Sequence, residues 1–169
     1  LAPLAAAANG RELVVRATNG DTSDEVTLRD VVCGDLWLCS GQSNMRLRVA
    51  ESAEAEEVLE GAELPLLRLF DLEGAFEPVR TQPDVGFLRG MAPATFFTSK
   101  GWQRSSAATA PSFSAVAHAF GRRLQLGLGV PIGLLHNAIG GSPMEAWLPP
   151  AGAVDPTVRA VMDAWWTDA

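Results

Sequence analysis

Ser43 stands in the run Gly41-Gln42-Ser43-Asn44-Met45, directly after the apolar stretch Leu36-Trp37-Leu38-Cys39. A serine just past the carboxyl end of a strand, on a turn opened by glycine, has backbone N–H groups converging near its hydroxyl. That arrangement suits a nucleophile with part of an oxyanion hole. A second glycine turn, Gly140-Gly141, follows another apolar segment, Val130-Pro131-Ile132-Gly133-Leu134-Leu135. Two glycines let a backbone approach a ligand closely and free an N–H to donate. Taken singly, each is an ordinary structural turn; their coincidence raises the odds of a site. The lipase elbow Gly-x-Ser-x-Gly carries glycine where this chain has Met45, which weakens an α/β-hydrolase assignment.

Such turns need strands to hold them. Asp35 to Ser40 reads as a strand buried on both faces of a parallel sheet. Open α/β sheets build their reaction sites at the carboxyl edge, where Ser43 falls. Before it, Glu12–Thr18 and Glu25–Val32 flank the turn signal Asn19-Gly20-Asp21 and predict a β-hairpin. The hairpin reads as the tail end of an N-terminal β-domain over 1–33, with Gly34-Asp35 as the junction to an α/β domain over 34–169. Ser52–Glu60 reads as an acidic, solvated helix stopped by Gly61, and Leu66–Phe70 as a second buried strand. Asp71–Gly101, rich in Gly and Pro, reads as a long surface excursion.

Ser112–Leu126 is the clearest helix, with Ser112 as cap, Gly127 as terminator, and Phe113, Val116, Ala117, Phe120 and Leu124 on one face. The strand at Val130–Leu135 then runs into the loop His136–Pro143. A last helix starts from Asp155 as cap with Pro156 in first position, its buried stripe being Val158, Val161, Met162, Trp165 and Trp166. Strands alternating with helices predict an α/β fold: a parallel sheet with helices on both faces.

Composition narrows the function. The chain has 169 residues, 47% hydrophobic and 20% charged, with a net charge of −7. That balance argues against a nucleic-acid surface, and Arg46 and Arg48 are too sparse to form a basic patch. No apolar run approaches the roughly 18 residues a membrane span needs. Leu1–Ala8 is apolar but lacks a basic leader and carries Pro3, so it reads as a loop or strand entry. Cys33 and Cys39 lie about 20 Å apart along extended chain and read as two small buried thiols, with no metal-ligand spacing. The leucine start and the stop after a tryptophan-rich helix read as a fragment.

The stretch Gly34–Met45 resembles the nucleophile block of the sialate O-acetylesterase family, within the SGNH hydrolase superfamily. Phe113-Ser114-Ala115-Val116, Phe120-Gly121-Arg122 and Val130–Leu134 resemble the same family's middle portion. Gly140-Gly141-Ser142-Pro143-Met144-Glu145-Ala146-Trp147 resembles its glycine block, so the likeness covers most of 30–147. The resemblance implies a three-layer α/β/α fold with a flavodoxin-like sheet, and deacetylation of O-acetylated sugars without metal or cofactor. It implies Ser43 as nucleophile, with the N–H groups of Ser43 and of Gly141 or Gly140 as oxyanion donors. Gln42, Asn44 and Glu145 match positions near the site, and Trp147 follows closely enough to line it. The family's habit implies a secreted or periplasmic protein.

This chain departs from the family in three places. Ile139 stands where a tryptophan usually precedes the paired glycines. A Trp-Tyr-Gln-Gly-Glu block is absent, and the chain has no tyrosine. The Asp-x-x-His block that supplies the base is absent too. His118, on the amphipathic helix, reads as a packing or surface residue. His136 is better placed, but no aspartate is evidently set to orient it. The expectation is therefore the front part of a carbohydrate O-acetylesterase, inactive alone, with histidine and aspartate supplied by a missing C-terminal segment or a second chain. The alternatives are a non-catalytic carbohydrate-binding or scaffold relic of the fold, and an SGNH esterase of another substrate class. Core positions are expected for Trp37, Trp165 and Trp166, while Trp102 stays open.

Overall fold

The computed structural model describes residues 4–74, 96–148 and 155–167. Strands β1 (Ala7–Asn19) and β2 (Thr22–Cys33) pair antiparallel around Gly20-Asp21 as a long hairpin. Then come β3 (Asp35–Gly41), the one-turn helix α1 (Ser43–Arg46), a 3-10 turn at Val49–Glu51, α2 (Ala55–Glu60) and β4 (Leu64–Gly74). The short β5 (Phe97–Thr98) and β6 (Gln103–Ser105) lead to α3 (Ala115–Leu128), β7 (Ile132–Ala138), a 3-10 turn at Met144–Trp147 and α4 (Pro156–Thr167).

The sheet is mixed rather than purely parallel. Its order is β3-β7-β4-β5, with β6 also on β4; β3, β7 and β4 run parallel, and β5 and β6 antiparallel to β4. A flavodoxin-like order places the first parallel strand between the second and third. Here the third, β7, lies between β3 and β4.

The core follows the two-residue period of the strands. Leu67 and Leu69 of β4, Ile132 and Leu134 of β7 and Cys39 of β3 pack with Phe113 and Ala117 at the start of α3. Burial raises the Cys39 thiol above its usual range. Both cysteines are free, and Cys33 is only half-buried. Helix α3 comes very close to the sheet at Gly121, where a methyl group would lie 2.5 Å from Leu134 Cδ1 and 2.8 Å from Leu67 Cδ1. Its cap is Ser114, whose hydroxyl accepts from the Ala117 N–H at 3.2 Å, and it ends on Gly129 with φ +67°. The cap and terminator expected at Ser112 and Gly127 are thus each displaced by two residues. Pro111 and Ser112 are taken up by a 3-10 turn, and Gly127 stays helical. The buried side of α3 is Ala117, His118 and Gly121, while Val116 and Phe120 are exposed at its rim.

β3 is not buried on both faces. It pairs only with β7 among the described strands, and Leu36 and Leu38 are 64% and 67% exposed. Trp37 is also exposed, with its ring edge-on to Phe120 at 5.2 Å, so the expected core position is corrected to a rim. Trp102 packs on Phe70 at 5.1 Å and lies over Gly133. Asp155 caps α4, accepting from the Thr157 N–H at 2.8 Å, and Val158 is half-buried. The side chains of Val161, Met162, Trp165 and Trp166, and most of the expected 71–101 excursion, lie outside the described residues. Among the described residues no helix is long and apolar enough to cross a membrane.

Candidate active site

The serine turn is made by the chain leaving β3. Gly41 takes φ +156°, and a side chain there would press on Met45 Cβ at 3.2 Å, so the turn needs glycine. Ser43 opens α1, with Gln42 as cap. The Gln42 side-chain Oε1 accepts from both the Ser43 N–H at 2.8 Å and the Ser43 hydroxyl at 2.5 Å. Gln42, Ser43 and Asn44 are all exposed.

The glycine turn is held beside it. In the parallel pairing of β3 with β7, Gly41 faces Ala138 and Ser40 faces Asn137, so both strands end at one level. The Ile139 N–H then donates to Gly41 C=O at 3.1 Å. A methyl group on Gly140 would lie 4.0 Å from Ser43 Oγ and 3.4 Å from an Arg46 guanidinium nitrogen. The two turns meet. Ser43 and Gly140 line one open hollow of about 440 Å³ with Arg46, Leu47, Arg48 and Glu51. Gly141 has φ +78°, and the N–H groups of Gly140 and Gly141 have no protein partner among the described residues.

Ser142 accepts from the Trp147 indole N–H at 2.9 Å and donates to Ile139 C=O at 2.7 Å, bracing the glycine turn. This sets Trp147 beside the turn, half in solvent. Glu145 lies in the 3-10 turn Met144–Trp147, and its side chain is outside the described residues.

Neither histidine hydrogen-bonds Ser43. His118 is fully buried; its Nε2 hydrogen-bonds Ser105 Oγ at 2.9 Å, and Ser105 donates in turn to Ala62 C=O. Burial, and then the charge of Arg122, lower its pKa, so it sits as a neutral core residue. His136 lies inside β7 rather than in the loop, on the core-facing register of Ile132, Leu134 and Ala138. An aspartate does orient it: Nδ1 bonds Asp71 Oδ1 at 2.7 Å, while Nε2 bonds the Met45 carbonyl at 3.1 Å. The alternation Ile132-x-Leu134-x-His136-x-Ala138 is legible in the sequence. The register that sets Asp71 opposite His136 on β4 is not. Sequence reasoning also missed Arg46 and Arg48 as lining residues, because they form no run along the chain.

No family model matches the chain. Sialate O-acetylesterases of Rattus norvegicus and Homo sapiens are each 30% identical to it over 142 residues, 80% of this chain. The chain is thus similar, at moderate identity, to the sialate O-acetylesterase family. It spans about a quarter of the length of these curated relatives, 24% and 25%. A solved carbohydrate acetylesterase from Xanthomonas citri superposes with a TM-score of 0.63 at 29% identity, over 81% of this chain and 29% of that one. The likeness in sequence is thus to sialate O-acetylesterases and the likeness in fold to a carbohydrate acetylesterase.

Proposed function

We propose that this chain carries the nucleophile and oxyanion half of a carbohydrate O-acetylesterase. The observation that carries the reading is Ser43 Oγ facing Gly140 across one shared hollow. The Ser43 hydroxyl attacks the acetyl carbonyl of an O-acetylated sugar, losing its proton to a base as the C–O bond forms. The tetrahedral oxyanion is held by the N–H groups of Ser43 and of Gly140 or Gly141. Its collapse expels the sugar alkoxide, which takes a proton, and water then hydrolyses the acetyl-enzyme. Gln42, Asn44, Glu145 and Trp147 support or line the site. Residues 34–169 belong on this reading to a three-layer SGNH-type domain, whose second helical layer would cover the exposed Leu36 and Leu38. Residues 1–33 are then the end of a preceding β-domain.

The base comes from outside these residues, since both histidines of the chain are engaged elsewhere. The same engagement favours a rival, a sugar-binding relic without turnover. Labelling of the full-length protein with a serine-directed phosphonate separates the two. Wild type is expected to label and Ser43→Ala not to; equal labelling, or none in either, removes the reading.

A further inference from the structure

We propose that His136 and Asp71 are a positioning pair for the nucleophile turn, not its acid–base machinery; this rests on Ser43 being the nucleophile. A histidine hydrogen-bonded to an aspartate near a serine resembles two-thirds of a catalytic triad. The direction of the outer nitrogen decides against that role. A backbone carbonyl only accepts, so Nε2 must carry the hydrogen it shares with Met45 C=O at 3.1 Å. A nitrogen so occupied has no lone pair for the proton of an alcohol. Ser43 for its part donates to Gln42 and not to the ring.

What the pair does is hold the turn. Helix α1 has four residues, and the bonds it makes on leaving run from the Arg46 N–H to Gln42 C=O and from the Leu47 N–H to Ser43 C=O. Met45 C=O lies at its unsatisfied carboxyl end, and a single turn is marginal alone. His136 supplies the missing donor from β7, and the ring is itself fixed three ways. It is 5% exposed, meets Phe113 edge-on at 5.4 Å, and is held at Nδ1 by Asp71, its cross-strand neighbour at 2.7 Å. The Met45 side chain is clasped from the opposite element, where Ser114 Oγ lies 3.5 Å from its sulfur. Met45 is thus pinned at carbonyl and side chain, two residues from the attacking oxygen.

The test compares kcat and KM of the full-length protein on a chromogenic acetyl ester for His136→Ala, His136→Gln and Ser43→Ala. Thermal denaturation verifies that each variant folds. His136→Ala is expected to lower kcat by about ten- to a hundredfold, the cost of a nucleophile about an ångström out of place, with KM within about twofold. His136→Gln is expected to recover most of the loss, because an amide donates to Met45 C=O yet cannot act as a base. If both variants fall to the Ser43→Ala level, His136 is the base and the proposal is overturned. Wild-type kcat in His136→Ala overturns it from the other side. Full activity in Ser43→Ala sinks the underlying reading instead. Independently, ¹⁵N NMR of the resting protein should show Nε2 of His136 protonated; a bare Nε2 would refute the clamp even if His136→Ala failed to fold.

Discussion

Gln42 Oε1 accepts from both polar groups that Ser43 would use, the amide that steadies an oxyanion and the hydroxyl that attacks. For an acetyl oxygen to reach that amide, the Gln42 side chain must turn away. A neutral amide releases its partners at modest cost; a carboxylate in the same place would hold both with charge-assisted bonds and repel the developing oxyanion. Gln42→Glu should therefore lower kcat at least about tenfold, about 1.4 kcal/mol of barrier. Steady-state assays of the folded variant on an acetyl ester check this, and unchanged kcat would show that the side chain at position 42 does not compete for the Ser43 N–H during turnover. At this scale the sequence was informative about types and silent about pairings. Ser43 and the two glycines could be picked out by their place after apolar runs. The His136–Asp71 bond spans two strands 65 residues apart, and only their register creates it.

Helix α3 sets how the site's elements stack. Its start and the residue before its cap hold the stretch after Ser43, with the Val49 N–H donating to Phe113 C=O at 2.9 Å and the Ala115 N–H to Leu47 C=O at 2.8 Å. Its middle rests on the sheet at Gly121. Two glycines of this one helix should answer oppositely to the same substitution. Gly121→Ala drives a methyl into Leu134 and Leu67, and overpacking of about 1–3 kcal/mol outweighs the helix-propensity gain of about 1 kcal/mol. Gly127→Ala meets nothing within 4 Å and keeps that gain. Urea denaturation of each variant is expected to move the midpoint down for the first and up for the second. The helix was legible because its apolar spacing is strong. Its ends were not, because Ser112 and Ser114 are both good caps in isolation, and Ser112 is taken up with Pro111 in the 3-10 turn Ala110–Ser112. β3 was misread as doubly buried because an apolar run gives composition but not position, and this strand stands at a sheet edge among the described residues.

Across the whole molecule, one carboxylate ties the hairpin to the sheet. Asp30, with φ +59° in β2, bonds Arg68 of β4 at 2.5 Å and Arg104 of β6 at 3.0 Å and 2.9 Å. The Arg68 guanidinium, and then Arg104, hold its carboxyl down at about 2 against an ordinary 3.8. A depressed folded pKa gives stability that is present above the unfolded value and lost as pH falls from about 4 toward about 2. Asp30 is partly exposed, so solvent screens the effect and the loss should be modest. Denaturation midpoints across that window should fall more steeply in wild type than in Asp30→Asn; parallel curves would exclude Asp30 as a contributor. The parallel pairing of β3 with β7 has a different reach. Because Gly41 is matched to Ala138, the spacing between Ser43 Oγ and the glycine amides starts from strand alignment, and the Ser142–Trp147 brace holds the turn beyond it. A slip of one residue would separate them by about 3.3 Å and turn every inward side chain out. On the proposed reading, chain beyond the Ser142–Trp147 brace is then free to vary in length and composition, so selection can retune which acetylated hydroxyl is admitted without disturbing the spacing of the two turns beneath it.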